Sequence, residues 1–207
     1  MIRIRLSGLL MLIAIPLALV YAPQKSSAGP PAKTAVTAFQ PTLPSGPSRS
    51  GECWTTSNAV TRRGAWRCMV GNEIYDPCFS RSGLTGAVIC DANPATDSPG
   101  FILKLTKPLP RISMQPLRPR PWLIKLADGT TCEIETGTIA FVAGLEVPYD
   151  CTDSQQCTDQ GCPYMTGLTD KFKRGRLWMA DKIAFSSSDQ GLKLLSRKRV
   201  AVAAAWE

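Results

Sequence analysis

Eight cysteines, divided four and four around a run of prolines, constrain this chain more than any other feature. Cys53, Cys68, Cys78 and Cys90 precede the stretch Lys107 to Pro121 (KPLPRISMQPLRPRP), and Cys132, Cys151, Cys157 and Cys162 follow it. An even number of cysteines in an exported chain reads as a disulfide framework. If each half closes its own bridges, the pairings open to eight cysteines collapse to three per half. Each half needs such staples, because a unit the size of residues 52–106 rarely supplies enough core alone. Proline fixes φ and withholds a backbone donor, so residues 107–121 are expected as an extended Pro-rich connector between the halves, in preference to a ligand for a proline-reading module.

The N-terminus points to the compartment in which those bridges form. Arg3 and Arg5 precede an uncharged apolar run from Leu6 to Ala22, which gives way to small and polar residues. This is the layout of a secretory signal peptide, residues 1–28, with cleavage after Ala28. An uncleaved anchor is the competing reading, because Leu6 to Ala22 reaches the short end of membrane-spanning length, about 17–25 residues. The expected location is secreted or periplasmic, at the cell envelope, and membrane-anchored if the signal stays. Residues 29–51 carry Pro30, Pro31, Pro41, Pro44 and Pro47, which interrupt any periodic segment and predict a disordered or extended Pro/Ser/Gly-rich tether. The chain then reads as a first disulfide-stapled half at 52–106, the connector, and a second stapled half at 122–207.

The fold class is expected to be mostly β, a small stapled domain built from two halves. Gly100 to Leu105, Trp122 to Leu126, Cys132 to Ile139, Ile183 to Phe185 and Val200 to Trp206 are short, rich in β-branched and aromatic residues, and bounded by turn residues. Asp128-Gly129 between two such runs signals a hairpin. Thr169 to Lys182 is the one stretch with helical potential, weakened by Gly175. Phe101 to Leu105 echoes Trp122 to Leu126, as neighbouring strands of one sheet would.

The block Trp66 to Phe79 (WRCMVGNEIYDPCF) holds two cysteines, a Gly71-Asn72 turn, and Asp76 before Pro77. It resembles secreted or membrane-anchored bacterial proteins of unknown function in which a W-R-C-x-V-G-N-x-I-x-D-P-C-F pattern recurs. The stretch Leu126 to Cys132 (LADGTTC) and the closing strand ending at Trp206 resemble that group as well. The resemblance implies an extracytoplasmic disulfide domain and no activity, and the Cys151 to Cys162 cluster departs from it.

The absence of histidine removes Ser-His-Asp and Cys-His catalysis and mixed Cys/His zinc sites. Cys151, Cys157 and Cys162 are spaced too widely for zinc knuckles, so all eight cysteines are assigned to disulfides and no metal or cofactor is expected. Asp150, Asp153 and Asp159 lack the spacing of a calcium loop. Glu73 with Asp76, and Glu133 with Glu135 on one strand face, are the carboxylate pairs a glycosidic hydrolase would require. The simpler reading gives Asp76 a turn-forming role, accepting local backbone N–H groups, and leaves Glu133 and Glu135 on a solvated face. The five tryptophans are expected chiefly in the core.

Removal of residues 1–28 takes Arg3, Arg5 and Lys25 from the 24 basic residues, leaving 21 against 16 acidic and a net charge of +5. Lys171, Lys173, Arg174 and Arg176 form the densest cationic cluster, with Arg197, Lys198 and Arg199 as a second run. An anionic envelope polymer or lipid headgroups fit such a surface, and export argues against nucleic acid. The sequence therefore favours a non-enzymatic, envelope-associated or secreted binding or structural protein. A carboxylate-dependent hydrolase acting on envelope polysaccharide is the alternative. It requires two of Glu73, Asp76, Glu133, Glu135 and Glu146 to meet across a concave pocket.

Overall fold

The computed structural model describes residues 31–112, 120–155 and 161–207, and every helix or strand in them is a strand. After a short β1 (Ala35–Thr37), the first half forms β2 (Arg49–Thr56), β3 (Ala65–Val70), β4 (Glu73–Phe79), β5 (Ala87–Cys90) and β6 (Phe101–Leu105). Sequential neighbours pair antiparallel, and β2 pairs parallel with β6 to close a five-stranded barrel. An up-and-down path with an odd number of strands returns with its first and last strands running the same way, so the closing pair has to be parallel. Gly71, at φ +59°, turns β3 into β4, a conformation that costs glycine little.

The second half forms β7 (Leu123–Leu126), β8 (Thr131–Ile134), β9 (Ala140–Val142), β10 (Leu145–Val147), β11 (Tyr149–Cys151), β12 (Cys162–Leu168), β13 (Trp178–Ser188) and β14 (Gly191–Trp206). Six of these close a second barrel in the order β14-β13-β12-β11-β8-β7, with β7 returning to β14. The hairpin of β9 and β10 packs Val142 and Val147 against Ile183 and Phe185 of β13. As expected, Asp128-Gly129 turns β7 into β8; Gly129 adopts φ +91° and the Asp128 carboxylate accepts the Thr130 N–H at 2.9 Å.

Three disulfides join directly opposed residues of adjacent antiparallel strands: Cys53 to Cys68, Cys78 to Cys90, and Cys132 to Cys151. Each closes within its own half, two in the first and one in the second. Cys162 is also disulfide-bonded, and Cys157 lies outside the described residues. So do residues 1–28, expected as a signal peptide, and residues 113–119 of the connector. Among the described residues no helix is long and apolar enough to cross a membrane.

The structure corrects three expectations. Residues 169–182 contain no helix: they form a loop and the start of β13. Strand β13 buries Trp178 and Ala180 toward the barrel core and Ile183 and Phe185 on its other face. Burial on both faces erases the alternation that marks a half-exposed strand. Next, β6 and β7, which carry the echoed sequences, belong to different barrels.

The third correction concerns the tether, whose described part, residues 31–51, is extended but docked. Strand β1 pairs parallel with Ala204 to Trp206, and Thr34 donates its hydroxyl to the Val202 carbonyl while accepting the Trp178 N–H, both at 2.7 Å. Phe39 then packs on Phe79 of the first barrel at 5.5 Å and on Trp122 of the second at 5.9 Å. Arg62 and Arg81 donate to the Phe39 and Pro41 carbonyls. Prolines prevent a long ladder here, but three residues of pairing and one aromatic anchor suffice to dock the segment.

The halves also share one core. A single buried cluster contains Val60, Ala65 and Phe79 from the first barrel and Trp122, Leu168 and Trp178 from the second. Phe39→Ala removes a ring from this junction without touching either barrel's ladder. It is expected to lower unfolding stability by about 1–3 kcal/mol, less than a fully buried phenylalanine because Phe39 is only partly covered. Urea unfolding with the disulfides intact measures this, and an unchanged midpoint would refute the docked assignment.

Candidate functional site

The structure exposes the expected cationic segment. Lys171, Lys173, Arg174 and Arg176 all lie on the surface of the loop between β12 and β13. Backbone bonds between Lys173 and Met179 and from the Thr34 N–H to the Arg176 carbonyl hold its two ends. The interleaved aromatics face inward: Phe172 packs on Tyr149 at 5.6 Å, and Arg174 lies 4.6 Å from the Trp178 ring centre. They anchor the loop and leave the charge outside. In the second run, Arg197 and Arg199 both bind buried Asp181, at 2.6 and 2.9 Å. Hydrogen bonds from Arg199 and then Arg197 hold that carboxyl below its usual range.

The carboxylates gather elsewhere, where the two barrels meet. Asp76 on β4 and Asp91 after β5 face Glu133 on β8, Glu135 just beyond it, and Asp150 on β11. They line two adjoining cavities of about 260 and 350 Å³ that share Asp76, Asn93 and Glu133. Two staples position them. The Cys78–Cys90 bridge lies between Asp76 and Asp91 in the chain, and the Cys132–Cys151 bridge sets a register that puts Glu133 directly opposite Asp150. Cys132 and Ile134 are buried, so strand alternation turns Glu133 and Glu135 outward together. That much the sequence predicted. The face they occupy is the wall of a cleft, because the first barrel stands against it.

Asp76 is enclosed. Its side chain is 1% exposed, and it accepts the Ser57 hydroxyl, the Asn58 N–H at 3.0 Å and the Arg67 guanidinium at 3.1 Å. These partners replace the local turn bonds expected from its place before Pro77. Arg67 also donates to the Thr136 carbonyl at 3.1 Å, tying the first barrel to the second.

Glu133 is exposed to solvent at the cleft mouth, with its carboxyl partly desolvated by the facing barrel. Burial, then the charges of Glu135, Asp91 and Asp76, push its carboxyl up to about 7. Glu135 is raised too, first by burial and then by Asp150. Trp122 forms part of the 260 Å³ cavity, and its buried indole N–H has no hydrogen-bond partner among the described residues. Asp91 holds φ +59°. The chain behind it can return only because Gly100 has no side chain, since a Cβ there would lie 2.1 Å from the Cys90 carbonyl oxygen.

The other acidic candidates separate. Glu73 sits at the exposed end of β4, accepting the Tyr75 hydroxyl and lying 3.7 Å from Arg49, so it does not meet Asp76. Glu146 is exposed on β10. Asp153 is bound by Lys182 at 2.6 Å and by Thr166, away from Asp150, and Asp159 lies outside the described residues. The grouping of Cys68, Cys78 and Cys90 sulfurs is disulfide, not a metal centre. The sequence did not single out Asp91 or Asn93; only the cysteine beside Asp91 hinted that its position was fixed. No protein-family model, curated protein or solved structure matches this chain.

A carboxyl whose folded pKa exceeds its unfolded value favours the native state when protonated, and that contribution is lost as pH rises from about 4.5 to about 7. Glu133→Gln is therefore expected to raise the thermal midpoint above neutrality and to lose this advantage near pH 4.5. Solvent at the cleft mouth limits the gain to about 2–4 °C. Thermal melts of both proteins across that range measure it, and a gain independent of pH would contradict the assignment.

Proposed function

We propose that the protein is an exported, non-enzymatic binding protein, envelope-associated or secreted, and that the acidic cleft between its barrels takes a positively charged ligand. The observation carrying this reading is the direct opposition of Glu133 and Asp150, with Asp91 and Glu135 beside them and Arg67 committed to Asp76. Like charges directly opposite destabilise a sheet, and a bound cation relieves that repulsion. The disulfides are compatible with an oxidising compartment. The exposed loop of Lys171, Lys173, Arg174 and Arg176 supplies a separate contact, suited to an anionic envelope polymer or lipid headgroups.

A second reading draws on Glu133 alone. A carboxyl near 7 in a cleft suits a general acid, and the reaction would be hydrolysis of an envelope polysaccharide. Its ionised partner would be Asp91, Glu135 or Asp150, because three donors and 1% exposure withdraw Asp76 from substrate.

Spermine titrated into the exported chain is expected to bind in a salt-sensitive manner, more tightly as pH rises through about 7 and Glu133 ionises. Replacing Glu133 with Gln and Asp150 with Asn together should weaken it about tenfold or more. Absence of spermine binding above neutrality would overturn the cleft assignment. Replacing the four loop cations with alanine should release the protein from an anionic polymer column and leave spermine binding unchanged. Reducing ends released from envelope polysaccharide, at a rate cut about a hundredfold by Glu133→Gln, would establish the hydrolase; no release by the unaltered protein would remove it.

A further inference from the structure

Resting on the cleft as the binding site, we infer that its ligand is a linear saccharide bearing protonated amines, laid across both cavities and stacked on Trp54. The first ground is the spread of the acids. Among the described residues no three carboxylates bring oxygens within 4.8 Å of one another. A calcium ion gathers six or more oxygens at about 2.4 Å, so this arrangement addresses separated charges along a ligand and not a single ion. The second ground is shape. Cavities of about 260 and 350 Å³ sharing Asp76, Asn93 and Glu133 form one trough, with Glu133 where they join.

The third ground is the neutral chemistry between the acids. Asn93, Thr136 and Thr152 line the trough, and the Trp122 N–H beside it lacks a partner. A protonated polyamine only donates and would leave the Trp122 N–H unanswered, whereas sugar hydroxyls both donate and accept. Trp54 is the fourth. It is 42% exposed, while Trp122 and Trp178 are 1% and 8%. It lies outside both cavity walls, one side chain away from the larger: Arg67, 5.9 Å from the Trp54 ring centre, donates to Asp76 and the Thr136 carbonyl, two residues of that cavity. An exposed indole beside a polar trough offers the flat apolar surface on which the C–H face of a sugar ring packs.

The test is calorimetric titration of the exported chain, disulfides intact, with three probes: a β-1,4-linked glucosamine tetramer, its fully N-acetylated counterpart, and spermine. The free-amine tetramer should bind, and the acetylated one about tenfold or more weakly. Trp54→Ala should weaken the free-amine tetramer about tenfold and leave spermine unchanged, with Trp54→Phe restoring most of the loss. Glu133→Gln with Asp150→Asn should weaken both charged probes. Near-ultraviolet circular dichroism checks that each variant keeps the native packing. Equal binding of the two tetramers, or a free-amine tetramer indifferent to Trp54→Ala, overturns the saccharide inference while spermine binding upholds the cleft. If spermine does not bind, the cleft assignment fails and the saccharide inference fails with it.

Discussion

The packing of Phe39, Phe79 and Trp122 at the junction of the barrels is the contact on which the rest of the structure depends. The three rings come from the docked N-terminal strap, the first barrel and the second barrel, with centroids 5.5 to 6.0 Å apart. A barrel closed by five short strands encloses little apolar volume, and its own buried cluster consists largely of cysteines with Val88, Phe101 and Leu103. Pooling the junction side chains gives both barrels a larger core than either could enclose alone, which is how small stapled modules gain stability.

Once the barrels are pressed together there, the geometry beside the junction is set. Asp76 and Asp91 arrive on one wall and Glu133, Glu135 and Asp150 on the other. The Arg67 link from Asp76 to the Thr136 carbonyl closes the base of this arrangement. Two carboxylates lining the same cavities thus acquire different characters. Asp76 is surrounded by donors and takes a structural role, while Glu133 faces other acids and holds its proton to about neutrality. Environment, not residue type, separates them.

The disulfides act locally within this scheme. Each joins directly opposed residues of neighbouring strands, so it fixes register and the facing of the residues beside it. Because facing alternates residue by residue, the Cys132–Cys151 bridge also determines that Glu133 and Asp150 meet. The strap and the shared core hold the two barrels to each other; among the described residues no disulfide spans them.

Much of the architecture was legible in the residues. The strand-rich class, the division into two stapled halves, the Asp128-Gly129 hairpin and the shared face of Glu133 and Glu135 all follow from short-range rules: alternation, turn chemistry and the grouping of cysteines. Long-range placement was not legible. The strap looked like a free tether because prolines report local backbone and not what a distant strand end offers them. The start of β13 looked helical because burial on two faces hides a period of two. Asp76 looked like a turn-former because its partners Ser57, Asn58 and Arg67 become neighbours only when β2, β3 and β4 curl into a barrel. The sequence by itself determined which segments form strands and which residues share a face, since those depend on neighbours along the chain. Only the tertiary structure decided that a face of carboxylates should become a cleft, since that depends on which surfaces two barrels press together to bury their aromatic rings.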